Sequence, residues 1–275
     1  MKTFWKIVCL WLAFFLPPSF GESGSAYKRV KAEELYGDGV ALYLKGDYGH
    51  AIGVLASSIA SDTTFSIAYN ALGMAYLKLR QWQNAENVLR KAIQLDTAYA
   101  FAYYNLAEVV YSNPLSSEGQ TRESIQLLRK ALLWEKDPLQ LQKVRIMLGN
   151  YLYSIGEVTT AAEEYRAAVK YDSTDLAARL GLANTAENSA EAYAEINRIL
   201  KIDSTFAPAL LALANISLMN NRYGEAIGIY YRELQRDSTQ CLKYIKCLEF
   251  IDYYLNKIID KENYYFSAAM KQNAY

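Results

Sequence analysis

Histidine occurs once in this sequence, cysteine three times and proline five times, and each shortage removes a class of chemistry. His50 stands with no further His or Cys around it, so neither a zinc-ligand set nor a His-dependent nucleophile can be assembled near it. It reads as a solvated loop residue. Convincing strands are missing too, and with them the settings for a G-x-G-x-x-G dinucleotide loop or a G-x-S-x-G nucleophile turn; no Walker-type Gly-Lys-Ser/Thr loop occurs. The neighbouring carboxylates Glu33-Glu34 and Glu163-Glu164 would diverge by about 100° on a helix and cannot share a substrate. An enzyme is not expected, nor a metal or small-molecule cofactor. Excess charge is also missing: 29 Lys/Arg meet 29 Asp/Glu, without a basic run. Nucleic acid and anionic membrane surfaces are therefore poor partners.

Long hydrophobic runs are absent as well. Ile7–Leu16 is an apolar run of ten residues, half of the roughly 20 that a membrane span needs. Lys2 and Lys6 precede this run, Pro17-Pro18 ends it, and Ser19 and Gly21 are small. Residues 1–21 thus read as a secretory leader, cut after Gly21 or alternatively after Ala26. The expected location is periplasmic or secreted. Cys9 lies at the start of the apolar run, the wrong place for lipidation. Cys241 and Cys247, six apart, would lie about 240° apart around a helix and could not bridge without unwinding it.

What is abundant is core material and repetition. Hydrophobic residues make up 52% of the 275 and no Gly/Ser tract is long enough to be a linker, which is a globular composition. Gly39 and Gly73, Tyr48 and Trp82, Ala51 and Ala85, Leu55 and Leu89, and Asp62 and Asp96 are each 34 residues apart. Five pairs in one register make a repeat. Each unit reads as two amphipathic helices: Tyr69, Leu72, Gly73, Tyr76 and Leu79 share one face of the first, and Trp82, Ala85, Val88, Leu89, Ala92 and Ile93 form the apolar face of the second. Gly73 and Ala85 are small where paired helices approach closely. Asp96-Thr97 is expected to cap the helix that follows.

This pattern resembles the tetratricopeptide repeat (TPR) family over residues 32–240, about six units. The small residue of the first helix is Gly39, Gly73, Ala107, Gly149, Ala183 and Ala214. The alanine opening the second helix is Ala51, Ala85, Ala161, Ala192 and Ala226, with Ser124 in the third unit. The closing aspartate is Asp62, Asp96, Asp172, Asp203 and Asp237, followed by Ser or Thr where the family usually has proline. The resemblance implies an all-α, right-handed α-solenoid of helix-turn-helix repeats. Around it stand a lead-in at 22–31 and, at 241–275, a C-terminal cap helix with an aromatic tail. Leu242, Ile245, Leu248, Ile251, Leu255 and Ile258 give that cap one apolar stripe, as a terminal repeat requires. Two units break the period. Residues 112–123 lengthen the third by about five residues, and Glu187-Asn188-Ser189 makes a short turn in the fifth. Pro138 is placed to open the fourth unit's first helix.

Tyrosine is the conspicuous residue, at 24 copies. Tyr48, Tyr69, Tyr76, Tyr103, Tyr165, Tyr223 and Tyr230 occupy packing positions of the repeat. Others fall where the first helices of similar proteins line a concave groove: Tyr36, Tyr43, Asn70, Met74, Phe101, Tyr104, Asn105, Tyr111, Asn150, Tyr153, Asn184 and Asn215. Aromatic rings give contact area at low entropic cost, and Asn both donates to and accepts from a peptide backbone. One TPR subclass instead clamps a chaperone's C-terminal carboxylate with Lys, Asn and Arg. Here Asn105 and Lys143 fit that cluster while Asn70, Met74 and Met147 do not. The expected function is a protein–protein interaction scaffold that binds a peptide or helix in its groove, in a bacterial cell-envelope or secretion assembly. The alternative is a glycan- or cell-wall-binding accessory protein, since Tyr and Asn also suit sugars.

Overall fold

The computed structural model describes residues 20–115 and 117–236, together with Tyr253 and Asn256. The run at 1–19, Cys241, Cys247 and the expected cap and tail, those two residues excepted, lie outside the described residues. Twelve helices and no strand occur among the described residues. They are α1 (Phe20–Leu44), α2 (Tyr48–Ser61), α3 (Ser66–Lys78), α4 (Trp82–Leu95), α5 (Ala100–Ser112), α6 (Glu118–Trp134), α7 (Pro138–Ser154), α8 (Val158–Tyr171), α9 (Leu176–Asn184), α10 (Ser189–Ile202), α11 (Ala207–Met219) and α12 (Tyr223–Arg236). The expected all-α helical repeat fold is what forms. The lead-in at 22–31 is helical and continuous with the first helix of the array, since α1 already begins at Phe20. No helix among the described residues is long and apolar enough to cross a membrane.

The chain divides into two compact units, Met1–Gly156 and Glu157–Tyr275. Each is built on the same small-against-large contact. In unit 1 a Cβ added to Gly73 would lie 2.6 Å from Leu89 Cγ, and one on Gly39 equally close to Leu55 Cγ. Both leucines are fully buried, so hydrogen at those two positions is what lets the paired helices close. In unit 2, Ala183 packs in one cluster with Ile196 and Ile199, holding the place that Gly73 holds opposite Leu89. Ser58 Oγ donates to the Ala32 carbonyl at 2.6 Å, tying α2 back onto α1.

Four of the turns between consecutive helices are left-handed. Gly46 and Gly156 have φ of 82°, and Arg80 (57°) and Asn221 (60°) adopt the same conformation without being glycine. In three of these turns the next amide reaches back five residues: Asp47 N–H to the Leu42 carbonyl at 3.0 Å, Gln81 to Tyr76 at 3.0 Å and Arg222 to Ser217 at 2.7 Å. That is the helix-ending pattern which satisfies otherwise orphaned carbonyls.

The turn between pairs differs from expectation. Asp62, Asp96, Asp172 and Asp203 do not cap the helices that follow; each ends the preceding one, with φ between −135° and −140°. Their carboxylates accept the amide two residues on: Thr64 at 2.9 Å, Ala98 at 3.0 Å, and Thr174 and Thr205 at 2.8 Å each. The N-cap places fall to Phe65, Tyr99, Asp175 and Phe206. The aspartate is closer to its own i+2 amide than to the next helix, and this local turn wins.

Half of the stretch at 112–123 is helix rather than loop. α6 starts at Glu118, so the extra residues extend it to 17 residues, against 14 for α4. Ser117 precedes it, with its amide donating to Gln120 Oε1 at 2.8 Å. Pro138 opens α7 as expected, with Asp137 accepting the Gln140 amide at 3.2 Å. The short fifth unit is real: α9 has nine residues, and Asn188 caps α10 by accepting two amides at 3.0 Å.

Candidate protein-binding face

Eight of the expected groove residues sit on the first helices α1, α3 and α5, and two on α7, all within unit 1. Their surroundings separate them into three kinds. Phe101 and Tyr153 are open, at 42% and 44% exposure, and Asn150 is exposed. Tyr36, Tyr43, Asn70, Met74, Tyr104 and Tyr111 are half-buried. Asn105 is buried, at 6% exposure.

Asn105 is spent internally. Its Nδ2 donates to Asn70 Oδ1 at 2.8 Å, joining α5 to α3. Asn70 is hydrogen-bonded in turn to Tyr99, whose phenol burial pushes up to about 12. Half-buried Tyr36 packs against the Phe65 ring, 5.5 Å between centroids. This polar ladder stitches successive pairs together, since a buried amide without a partner costs roughly 1–3 kcal/mol. It also removes Asn105 from any carboxylate clamp of the kind its spacing with Lys143 suggested.

Beyond the ladder, α5 carries Tyr104, Glu108 and Tyr111 at helical spacing, on one face. The Tyr111 ring stacks on Tyr151 of α7, 3.8 Å between centroids and 15° between planes. Tyr43 of α1 meets Tyr48 edge-on at 5.3 Å. Glu108 lies among these rings. Burial holds its carboxyl above the usual carboxylate range, and Lys78 at the end of α3 pulls it back through space. Its charge in turn helps burial raise the phenols of Tyr43, Tyr104 and Tyr151. The sequence reading missed Glu108, Tyr99 and Tyr151. Glu108 was within reach, four residues after Tyr104 and three before Tyr111.

Unit 2 offers hollows instead. Asn184 and Asn215 line a cavity of about 340 Å³ with Asn188, Ser189 and Ile216. A second, of about 400 Å³, is lined by Arg166, Thr185, Glu191, Glu195 and Arg198. Its Glu195 is already matched, because it pairs with Arg198 and takes Arg179 Nη1 at 2.8 Å. His50 is exposed and bonds Asp47 through Nδ1 at 2.8 Å. No group of three or more His, Cys, Asp or Glu among the described residues could hold a metal ion.

Comparison with known proteins agrees with this architecture. Tetratricopeptide repeat models match residues 66–99 and 146–205. Those two segments are tetratricopeptide repeats. Among solved structures it is similar to PilF of Pseudomonas aeruginosa, with 17% identity, 76% of this chain and 92% of that one covered, and a TM-score of 0.64. A TPR protein from Parabacteroides merdae aligns at 16% identity over 74% of this chain and 79% of its own, with a TM-score of 0.62. YrrB, described as having an unusual peptide-binding site, aligns at 20% identity over 70% and 97%, with a TM-score of 0.53. No curated protein matches by sequence. TPR arrays of this kind are protein–protein interaction scaffolds, generally without catalysis of their own.

Proposed function

We propose that the face formed by the first helices of unit 1 holds a peptide or helix of another protein, and that the chain acts as an exported scaffold in a bacterial envelope or secretion assembly. The observation that carries the reading is the pair of rings exposed there. Phe101 and Tyr153 are more than two-fifths exposed; the helix of Phe101 is fixed to α3 by the Asn105–Asn70 bond at 2.8 Å, and that of Tyr153 meets α5 through the Tyr111–Tyr151 stack. Rigid aromatic groups on a preorganised support lose little entropy on binding, which is how few contacts produce useful affinity. The peptide-binding site described for YrrB supports a peptide ligand on such an array. The export half of the reading is supported by the leader-like residues 1–21.

The test compares proteins captured from envelope extracts by the wild type and by a Phe101→Ala/Asn150→Ala variant. Both positions are exposed, so circular dichroism and melting should be unchanged. A protein retained by the wild type and lost by the variant supports the face as the binding surface. Equal capture by both would move the binding elsewhere. N-terminal sequencing of the mature protein from a fractionated host checks export: a start after Gly21 or Ala26 is expected, and an intact leader in the cytoplasmic fraction sinks it.

A further inference from the structure

Glu108 is badly placed for a residue with no task. It is half-buried among tyrosines, where a carboxylate loses part of its hydration. Among the described residues, the opposite charge that bears on it is Lys78, an exposed residue on the last turn of α3 that acts through space. Around it stand Tyr104 and Tyr111 on its own helix, Tyr43 from α1 and Tyr151 from α7, with the last held flat against Tyr111 at 3.8 Å. Tyrosine rings present negative faces, which attract a cation and repel an anion. An acidic segment would meet repulsion from Glu108, and a purely apolar one would finish desolvating the carboxylate while giving it nothing. A lysine ammonium or an arginine guanidinium would do the reverse: it supplies the missing charge and uses the ring faces together.

Resting on the protein-binding reading of this face, we propose that unit 1 recognises a basic segment of its partner, seating one Lys or Arg side chain on the Glu108 carboxylate beside the half-buried Tyr43, Tyr104 and Tyr111, with buried Tyr151 backing the Tyr111 ring. Glu108 is then the specificity residue, and the surrounding rings supply most of the contact area. Binding requires the carboxylate to be ionised. Since burial raises its pKa, affinity falls on acidification earlier than an ordinary glutamate would dictate. The other groups facing it are Lys78 and the four phenols, and burial raises those of Tyr43, Tyr104 and Tyr151 further from neutrality.

The experiment titrates the full chain, with ring-labelled tyrosine, by NMR. The probes are n-butylammonium chloride and n-butylguanidinium chloride; n-butanol serves as the neutral isostere and sodium chloride as the ionic-strength control. Saturable shifts at Tyr104, Tyr111 and Tyr151 with the two cations alone are expected. Glu108→Gln, which keeps the shape of the side chain, should weaken them about tenfold, or 1.4 kcal/mol. Acidification should weaken the wild type and leave the variant unchanged. Absence of saturable shifts overturns the proposal, and so do shifts that Glu108→Gln leaves intact. If the cations fail while capture still depends on Phe101 and Asn150, only this inference falls. If capture is also indifferent to those residues, the binding face itself is wrong.

Discussion

The two units use asparagine in opposite ways. In unit 1, Asn70 and Asn105 are 35 residues apart in the sequence and bond each other at 2.8 Å, with Asn105 buried. In unit 2, Asn184 and Asn215 are 31 apart, across the shortened fifth repeat, and both lie exposed on the wall of a hollow of about 340 Å³. Asn70 and Asn105 stand three and two residues before the small residues Gly73 and Ala107, whereas Asn184 and Asn215 each follow theirs, Ala183 and Ala214, by one, so the two pairs occupy different places on the first helices. A polar residue on a first helix becomes structural where its place on that helix turns it toward the neighbouring repeat, as Asn105 is turned toward Asn70.

The comparison can be broken hardest through the two cores. Leu89→Ala in unit 1 and Ile199→Ala in unit 2 each empty a fully buried site and should cost about 2–5 kcal/mol. Hydrogen exchange should show each loosening concentrated in the helices nearest the substitution, as nearest-neighbour stacking requires. Uniform loosening of both units would contradict the division. Next comes the asparagine contrast itself. Asn105→Ala should lower stability by about 1–3 kcal/mol, because Asn70 loses its donor. Asn184→Ala should stay within about 0.5 kcal/mol. Equal effects in chemical denaturation would erase the distinction.

A third contrast lies in the turns. Gly46→Ala must hold a side chain at φ 82° and should cost about 1 kcal/mol or a little more. Arg80→Gly relieves the same strain, so its melting temperature should match or exceed that of the wild type. The smallest effect concerns Glu108. Its folded pKa is raised by burial, so its contribution to stability is fully present below the unfolded pKa and lost as pH rises through the folded one. Glu108→Gln should accordingly melt slightly higher than wild type at neutral pH, with the gain vanishing on acidification. A gain that persists in acid would mean the carboxylate's burial is not the cause.

Much of this architecture was legible before any coordinate. Ala85, Leu89 and Asp96 announce helix pairs because small, large and turn-forming residues return at one fixed distance, and packing enforces that distance. The job of Asp96 was less legible. Propensity says only that aspartate ends or begins helices, and which amide it takes depends on a turn two residues long. Asn105 and Phe101 looked alike as groove residues, since a single sequence does not show which of two first-helix positions faces the neighbouring repeat. Glu108 was hidden differently: a lone carboxylate carries no motif, and its meaning comes from four tyrosines gathered from three helices.

The left-handed turns have a consequence for how such chains diverge. Three of them make the same five-back hydrogen bond while placing glycine, arginine and asparagine at the strained position. What copying and drift have preserved is a backbone bonding pattern, and the residue there has wandered within a penalty of about 1–2 kcal/mol. Repeats recognised by glycine at that turn would lose two of these three copies, whereas the aspartate turn recurs at Asp62, Asp96, Asp172 and Asp203. In lineages of stacked helices, ancestry is better traced through the residue that makes a bond than through the one that merely tolerates a bend.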